Sequence, residues 1–424
     1  MSEPGLPATV SPVPPLAAGV DFLYEPTAVF GALLMAGALV AGLARRSFLS
    51  LTAAFVVAGF ILGQGGLEVL DIDPTSDFAQ GLAVIALVLI LFRDGLEVEE
   101  EMLQKAWHLP LRNLVLAMPI TAGLVAVVTY AVTDLGWTES FLVGALLSPT
   151  DPVLSSSVVT NPRVPRLIRH SLNLESGLND GLALPAVLAL IAAAAADEDF
   201  VWWEFVLQDI GFGFATGLAV AFVAARLMPR DKGLGRGPSA HQKSMYALGV
   251  AFATYGFAVL PPEGNGFIAV FVAAIAFGIW RPDIRECFEL RAEDILEVVK
   301  LGVFLVFGAI LTFDMLFEDG WAAVAIAAFT LVVARPVAVF TALAGTRQVD
   351  TAAKAFIAWF GPKGVATMTF ALFVLGSSVP DAERITGIAA LAVFASIIAH
   401  GLTDHPGAEW MARRAEREAD RVVA

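Results

Sequence analysis

The chain has 424 residues, of which 57% are hydrophobic and only 16% charged, with a mean hydropathy of +0.75. That is far below the roughly 25% charged residues of soluble domains and excludes a water-soluble fold, whereas membrane-spanning helices of about 20 residues each, joined by short loops, account for the whole length. The net charge of −15 is spread over loops and the amino-terminal stretch and names no partner, nucleic acid included; the single cysteine, Cys287, excludes an internal disulfide and a cysteine metal cluster.

Residues 1–24, MSEPGLPATVSPVPPLAAGVDFLY, lack the basic start and compact apolar core of a cleaved signal peptide and read as a flexible extracytoplasmic tail. Beyond them, apolar windows bounded by charge, Gly or Pro predict an all-α membrane protein of about thirteen spans. They fall near 27–44, 48–66, 78–96, 110–133, 137–159, 166–190, 203–228, 244–261, 265–280, 298–317, 321–345, 352–376 and 384–402. Residues 25–405 then form one transmembrane domain, and 406–424 a short basic cytoplasmic tail.

Of the 26 Lys and Arg residues, 22 fall in alternate loops, from Arg45 and Arg46 through Arg281, Arg285, Arg291 and Lys300 to the carboxyl tail. The intervening loops hold only Arg384, against acidic groups such as Asp71, Asp73 and Asp77, or Asp197, Glu198 and Asp199. The positive-inside rule therefore predicts a multi-pass protein of the cell inner membrane with its amino terminus outside and its carboxyl terminus in the cytoplasm. Arg93, Arg335 and Lys363 remain within or at the edge of spans.

Charges inside a bilayer cost several kcal/mol and read as functional residues with partners. In the third span, Asp94 stands beside Arg93 and ahead of Glu97, Glu99, Glu100 and Glu101, an interfacial charge cluster by its position. The fifth span, FLVGALLSPTDPVLSSSVV, carries Pro149 and Pro152, which remove two backbone donors in mid-membrane and predict a broken helix. Unwound backbone at that depth is tolerated only inside protein or beside a wet cavity, and Thr150 and Asp151 supply hard oxygen ligands there.

The sixth span, SLNLESGLNDGLALPAVL, places Glu175 four residues from Asn179 and Ser176 four from Asp180, on neighbouring strips of one helix. At about 1.5 Å per residue, Asp180 lies about 20 Å into a core about 30 Å thick, where it can meet Asp151 arriving from the other side. Arg335, deep in the eleventh span, needs an acidic partner, for which Glu175 is the candidate. The twelfth span breaks at Gly361, Pro362, Lys363 and Gly364, and spans five and twelve, seven apart, run in opposite directions as in an inverted repeat. If the two breaks cross, Asp151 and Lys363 are the residue types that neutralise the facing helix ends, so Asp151 is either a cation ligand or a dipole partner.

Gly264, Asn265, Gly266 and Phe267 read as a tight turn into the ninth span. His108, His170, His241, His400 and His405 fall on or near the predicted cytoplasmic side, where histidines can report internal pH, but five residues make no pattern.

These motifs resemble the cation:proton antiporter-1 family, the sodium/proton exchangers of the bacterial NhaP and animal NHE kind. The matches are Thr150, Asp151 and Pro152; Glu175 and Ser176 with Asn179, Asp180 and Gly181; Arg335 and Pro336; and Gly361 to Gly364. The resemblance implies the antiporter fold of the NhaA, NapA and NhaP kind, an inverted repeat with two crossing broken helices, and a homodimer in which a six-helix core moves against a dimerisation domain. It implies a sodium ion held by Asp180, Ser176 and Thr150, a structural pair of Glu175 with Arg335, and one-for-one exchange because Asn179 is neutral. Two departures stand out: Arg93 takes the place where the family often has an acidic residue, and Lys363 replaces the commoner Arg.

A buried carboxylate can hold a proton or give it up to a cation, so Asp180 alone can carry both substrates by competition. The expected function is secondary active sodium/proton antiport with alternating access, without an enzymatic reaction or resident cofactor, for lithium or potassium as well as sodium. A potassium/proton antiporter of the same fold is the alternative. An intramembrane aspartyl hydrolase using Asp151 and Asp180 and a passive channel are remoter ones.

Overall fold

The structure is a computed structural model that describes residues 24–44, 51–98, 108–151, 158, 160–195, 200–230, 237–261, 263–346 and 348–423. The predicted amino-terminal tail, Pro152 and the acidic run at 197–199 lie outside the described residues.

Every regular element among the described residues is helical, as a bilayer requires of chains that satisfy their own backbone groups. In order they are α1 (Tyr24–Ala44), α2 (Leu51–Leu62), α3 (Asp77–Leu96), α4 (His108–Val132), α5 (Trp137–Leu146), α6 (Arg166–Ala195) and α7 (Trp202–Leu227). There follow α8 (Ala240–Ala258), α9 (Gly266–Trp280), α10 (Pro282–Ile310), α11 (Trp321–Ala342), α12 (Thr351–Trp359), α13 (Val365–Leu375) and α14 (Ala382–Val423), with a short unnumbered helix at Phe313–Phe317 between α10 and α11. Six of them, α3, α4, α6, α7, α11 and α14, are long and apolar enough to cross a membrane. Each of the thirteen predicted windows overlaps one of these helices, the twelfth overlapping both α12 and α13.

Local sequence sets several of the ends. Ser76 caps α3, Asp350 caps α12, and Ser239 with Gln242 forms a reciprocal capping box at α8. Asn265 accepts from the Phe267 and Ile268 N–H groups, so the predicted turn into the ninth span is a helix cap. Three helices contain a stretch of π-helix, Asn113–Ala117 in α4, Val206–Phe212 in α7 and Thr330–Ala334 in α11, and α11 beyond its stretch packs on that of α4.

The main departure from the windows is α10, which begins at Pro282 rather than near 298. Its first half carries Glu286, Glu293, Asp294 and Glu297, which depress the hydropathy of a helix that nevertheless buries Ile284, Phe288, Ala292 and Leu296. Lys300, expected in a cytoplasmic loop, is therefore a buried residue near the middle of α10.

The cores follow the helix pairs. α10 packs along α2, α7 along α9, and α4 along α5. One cluster, including Leu109, Ile168, Leu172, Val339, Phe356 and Met411, joins α4, α6, α11, α12 and the far end of α14. The last helix runs on through Pro406, and Arg163 fastens it by ion pairs of 3.0 Å to Glu409 and to Glu416. At the opposite end Arg384, near the start of α14, pairs with Asp134, Asp319 and Asp381.

Candidate functional site

The two interrupted spans meet at their breaks. α5 stops at Leu146 and the chain continues unwound through Ser148, Pro149 and Thr150 to Asp151, while α12 stops at Trp359 and the helix resumes with α13 at Val365. The Asp151 N–H donates to the Pro362 carbonyl at 2.8 Å, joining the breaks through backbone.

Charge then completes the crossing. The Asp151 carboxylate accepts from the Val365 N–H at 3.2 Å, a negative group at the amino end of α13. Lys363, wholly buried, donates from Nζ to the Ser148 carbonyl at 3.3 Å and the Pro149 carbonyl at 2.9 Å, a positive group beyond the carboxyl end of α5. The glycines beside it are required by space: a Cβ on Gly364 would strike the Asp151 carboxylate, and one on Gly361 the Arg335 guanidinium.

α6 lays its polar strip against the unwound stretch. Ser176 Oγ donates to the Thr150 carbonyl at 2.7 Å, and Asn179 Nδ2 donates to the same carbonyl and to Thr150 Oγ1, both at 2.8 Å. The Ser176 proton is thus committed, leaving its oxygen lone pairs for another partner. Asp180 is 4% exposed, and its Oδ1, like Asn179 Oδ1, has no hydrogen-bond partner among the described residues. Buried oxygens of this kind call for an explanation, since desolvation without a partner costs on the order of 1–3 kcal/mol.

Glu175 faces another neighbour. Its Oε1 lies 2.8 Å from Arg335 Nη2, and its Oε2 accepts from Asn113 Nδ2 at 2.8 Å. Arg335 also donates to the Ile357 carbonyl at 3.3 Å. Asn113 opens the π-helical stretch of α4 and Arg335 directly follows that of α11, so both partners of Glu175 stand where the helical register shifts.

A cavity of about 300 Å³ enters between α3, α6 and α10, lined in part by Arg93, Asp94, Glu97, Asn173, Gly177 and Leu296. Gly177 is one turn before Asp180 on α6, and Leu296 one turn before Lys300 on α10. The charges acting through space on Asp180 are those of Asp94, Asp151, Lys300 and Arg93. Asp94, read from sequence as part of an interfacial cluster, is 2% exposed and ion-paired to Arg93 at 2.7 Å. Neighbouring helices cover it, which hydropathy along one chain segment does not register.

Asn113 and the inward position of Lys300 are further features of the site, beyond the residues that the sequence motifs mark. Lys300 did carry a signal, since ILEVV precedes it and LGVFLVFGAI follows it. Asn113 carried none beyond being polar at the edge of an apolar window.

The family described as sodium/hydrogen exchanger, transmembrane, matches residues 32–410. The chain belongs to the sodium/hydrogen exchanger family. Curated relatives of this exchanger chain include the K(+)/H(+) antiporter NhaP of Alkalimonas amylolytica, 26% identical over 402 residues, covering 92% of this chain and 67% of the relative. Another is the K(+)/H(+) antiporter NhaP2 of Shewanella sp. (strain ANA-3), 25% identical over 378 residues, covering 88% of this chain and 65% of the relative. The chain thus spans about two thirds of the length of these curated relatives. Among solved structures, the sodium proton antiporter MjNhaP1 from Methanocaldococcus jannaschii superposes with a TM-score of 0.76 at 19% identity, covering 93% of this chain and 98% of that one. The fold is that antiporter fold. The exchanger family is a family of transporters, so the hydrolase alternative falls away.

Proposed function

We propose that this chain is a secondary active antiporter that exchanges a monovalent cation, sodium first, for a proton at Asp180. One observation carries the reading: a buried carboxylate oxygen without a hydrogen-bond partner among the described residues, at the crossing of two broken helices. A proton or a desolvated cation satisfies that oxygen, and because one group serves both, each displaces the other. Ser176, whose proton is spent on Thr150, and Asn179 Oδ1 offer further oxygens, with Thr150 as the third ligand of the sodium ion. Asp151 acts mainly on the amino end of α13 and Lys363 on the carboxyl end of α5. Glu175 and Arg335 form a structural pair.

With the neutral Asn179 beside it, Asp180 presents one exchangeable charge, which supports electroneutral, one-for-one exchange. The cavity on the α3, α6 and α10 side supports access from the cytoplasm, with rocking of the helices around the crossing for alternating access. The asymmetry of the basic loops supports placement in the cell inner membrane, amino terminus outside and carboxyl terminus inside. The family resemblance supports a homodimer. A second reading, potassium/proton antiport, is favoured by the similarity to curated relatives named K(+)/H(+) antiporters.

The test is pH recovery in acid-loaded proteoliposomes of the purified protein pulsed with sodium, lithium, potassium or choline. Alkalinisation by sodium and lithium that is lost in Asp180→Asn and indifferent to a voltage clamp supports the proposal. A larger response to potassium selects the second reading. Proton-coupled transport persisting in Asp180→Asn removes Asp180 from the site.

A further inference from the structure

His400, one of five histidines without a pattern in the sequence, sits on α14 at 1% exposure, against the break between α12 and α13. Its Nε2 is 2.8 Å from the Trp359 carbonyl oxygen, and its Nδ1 is 2.8 Å from the Ser396 carbonyl oxygen. Carbonyl oxygens only accept, so both contacts are hydrogen bonds only when both ring nitrogens carry protons. The neutral ring has one N–H and must surrender one of them. The other group at hand is the Ser396 hydroxyl, 3.1 Å from Nδ1, which can donate to a bare nitrogen.

Ser396 connects the ring to the crossing, because its Oγ accepts the Lys363 N–H at 2.8 Å. Lys363 in turn holds the Ser148 and Pro149 carbonyls, next to Thr150. Trp359 is the last residue of α12; its carbonyl also receives the Gly361 N–H, and its indole donates to Thr403 on α14. Thus Ser396, His400 and Thr403, spaced on one face of α14, hold both sides of the break.

The charged groups around the ring are named readily. Arg335 from α11 and Lys363 from the break act on it, with Glu175 of α6 paired to Arg335 and Asp151 engaged with the Val365 N–H. α12 carries Lys354, bonded to the Thr346 carbonyl, and α13 has no titratable residue. On α14 itself, Asp404 accepts from the Val158 N–H one turn on, next to His405.

We propose that His400 is a positioning residue for the exchange, whose protonation switches Ser396 between two hydrogen-bond arrangements and so sets how firmly the α12 end and Lys363 are held. In the charged ring, Nε2–H and Nδ1–H hold the two carbonyls. In the neutral ring, Nε2–H keeps Trp359, Nδ1 turns from the Ser396 carbonyl to its hydroxyl, and the ring moves with it. The break then relaxes or tightens with proton concentration independently of competition at Asp180. The inference rests on the antiport reading.

The experiment separates the two. With the pH of the proton-supplying side held fixed, competition at Asp180 on the cation side changes the apparent KM for the cation and leaves the maximal rate alone, whereas a change in how the break is held changes the maximal rate. Exchange is measured in proteoliposomes at saturating cation with the cation-side pH varied from about 5.5 to 8.5, the range a histidine spans. The wild type is expected to change its maximal rate by about three- to tenfold, the effect of one net hydrogen bond. His400→Gln, which keeps a donor but cannot gain a charge, is expected to have a flat maximal rate and an unchanged pH dependence of KM. Retention of the wild-type profile of maximal rate in His400→Gln overturns the proposal. Should that variant be inactive, ring nitrogen NMR decides, on histidine-labelled protein in which His108, His170, His241 and His405 are replaced by Gln. A ring that gains a second N–H within the range supports the switch, and a single neutral tautomer throughout overturns it. Absence of any cation-driven exchange in the wild type refutes the antiport reading instead, and the ring titration still stands by itself.

Discussion

The Lys363 ammonium and the Pro149 carbonyl, 2.9 Å apart, tie the twelfth span to the fifth by a charged hydrogen bond in the middle of the molecule. The Asp151 carboxylate and the Val365 N–H form the reverse link, so each break lends its charge to the helix end of the other. Of the two acidic residues near the crossing, Asp151 is occupied in this exchange of charges, whereas Asp180 keeps an oxygen free of partners among the described residues.

Replacing Lys363 by Met strands two buried carbonyls at the end of α5 and removes the charge that compensates it. A loss of about 1.5–3 kcal/mol is expected, the value of hydrogen bonds to a charged group, along with loss of exchange. Lys363→Arg keeps the charge and is expected to retain more of both. Thermal unfolding in detergent, read beside vesicle exchange, checks the order wild type, Arg, Met.

Glu175 and Arg335 are buried on both sides, at about 6% side-chain exposure each. Removing one partner leaves the other charged and unpaired, and Glu175→Gln or Arg335→Met is each expected to cost about 3–5 kcal/mol. The double variant is expected to recover much of that loss, because it buries no orphan charge. A double-mutant cycle on unfolding midpoints measures the recovery, and additive losses would show that the pair is not coupled.

Asn179 donates twice to Thr150, which a carboxylate cannot do. Asn179→Asp is therefore expected to lower stability by about 1–3 kcal/mol even as it adds a second exchangeable charge beside Asp180. The matching functional outcome is exchange that responds to membrane potential where the parent does not. Flux under imposed positive and negative potentials, with unfolding followed in parallel, tests both halves.

If one carboxylate serves proton and cation, acidification raises the apparent KM for the cation, approaching about tenfold per pH unit once the protonated form dominates. In His400→Gln the extrapolated maximal rate is expected to stay constant over the same range. Initial rates over a grid of cation concentration and cation-side pH, with the pH of the proton-supplying side held fixed, give both quantities. A KM indifferent to pH would mean that the two ions use separate groups.

Much of the fold could be read along the chain, because lipid makes hydropathy report on helices directly; the windows at 78–96 and 321–345 match α3 and α11 to within a few residues. Hydropathy does not disclose the first half of α10, where Glu293, Asp294 and Glu297 mask a half-buried helix and make Lys300 look like a loop residue. For the site, Pro149 and the Gly361 to Gly364 run disclosed the two interruptions, since neither proline nor paired glycines suit a helix interior. Which groups meet across the crossing depends on neighbours brought together from distant segments. The partnership of Ser396 with the Lys363 amide joins a serine of an ordinary apolar helix to a backbone N–H, a relation with no residue-type signature.

The crossing also bears on how the protein is made. Asp151 and the Val365 amide that it caps are 214 residues apart, so the first broken helix emerges long before the residues that complete it exist. Until residue 363 is made, the nascent chain must keep a carboxylate and an unwound turn in or near the bilayer with no Lys363 to hold them. The ion site is consequently among the last parts to assemble, and the early half-helix is the segment most exposed to retention or degradation by quality control. Chains arrested before residue 363 should accumulate with α5 accessible to water-borne labels, and chains released beyond Val365 should protect it.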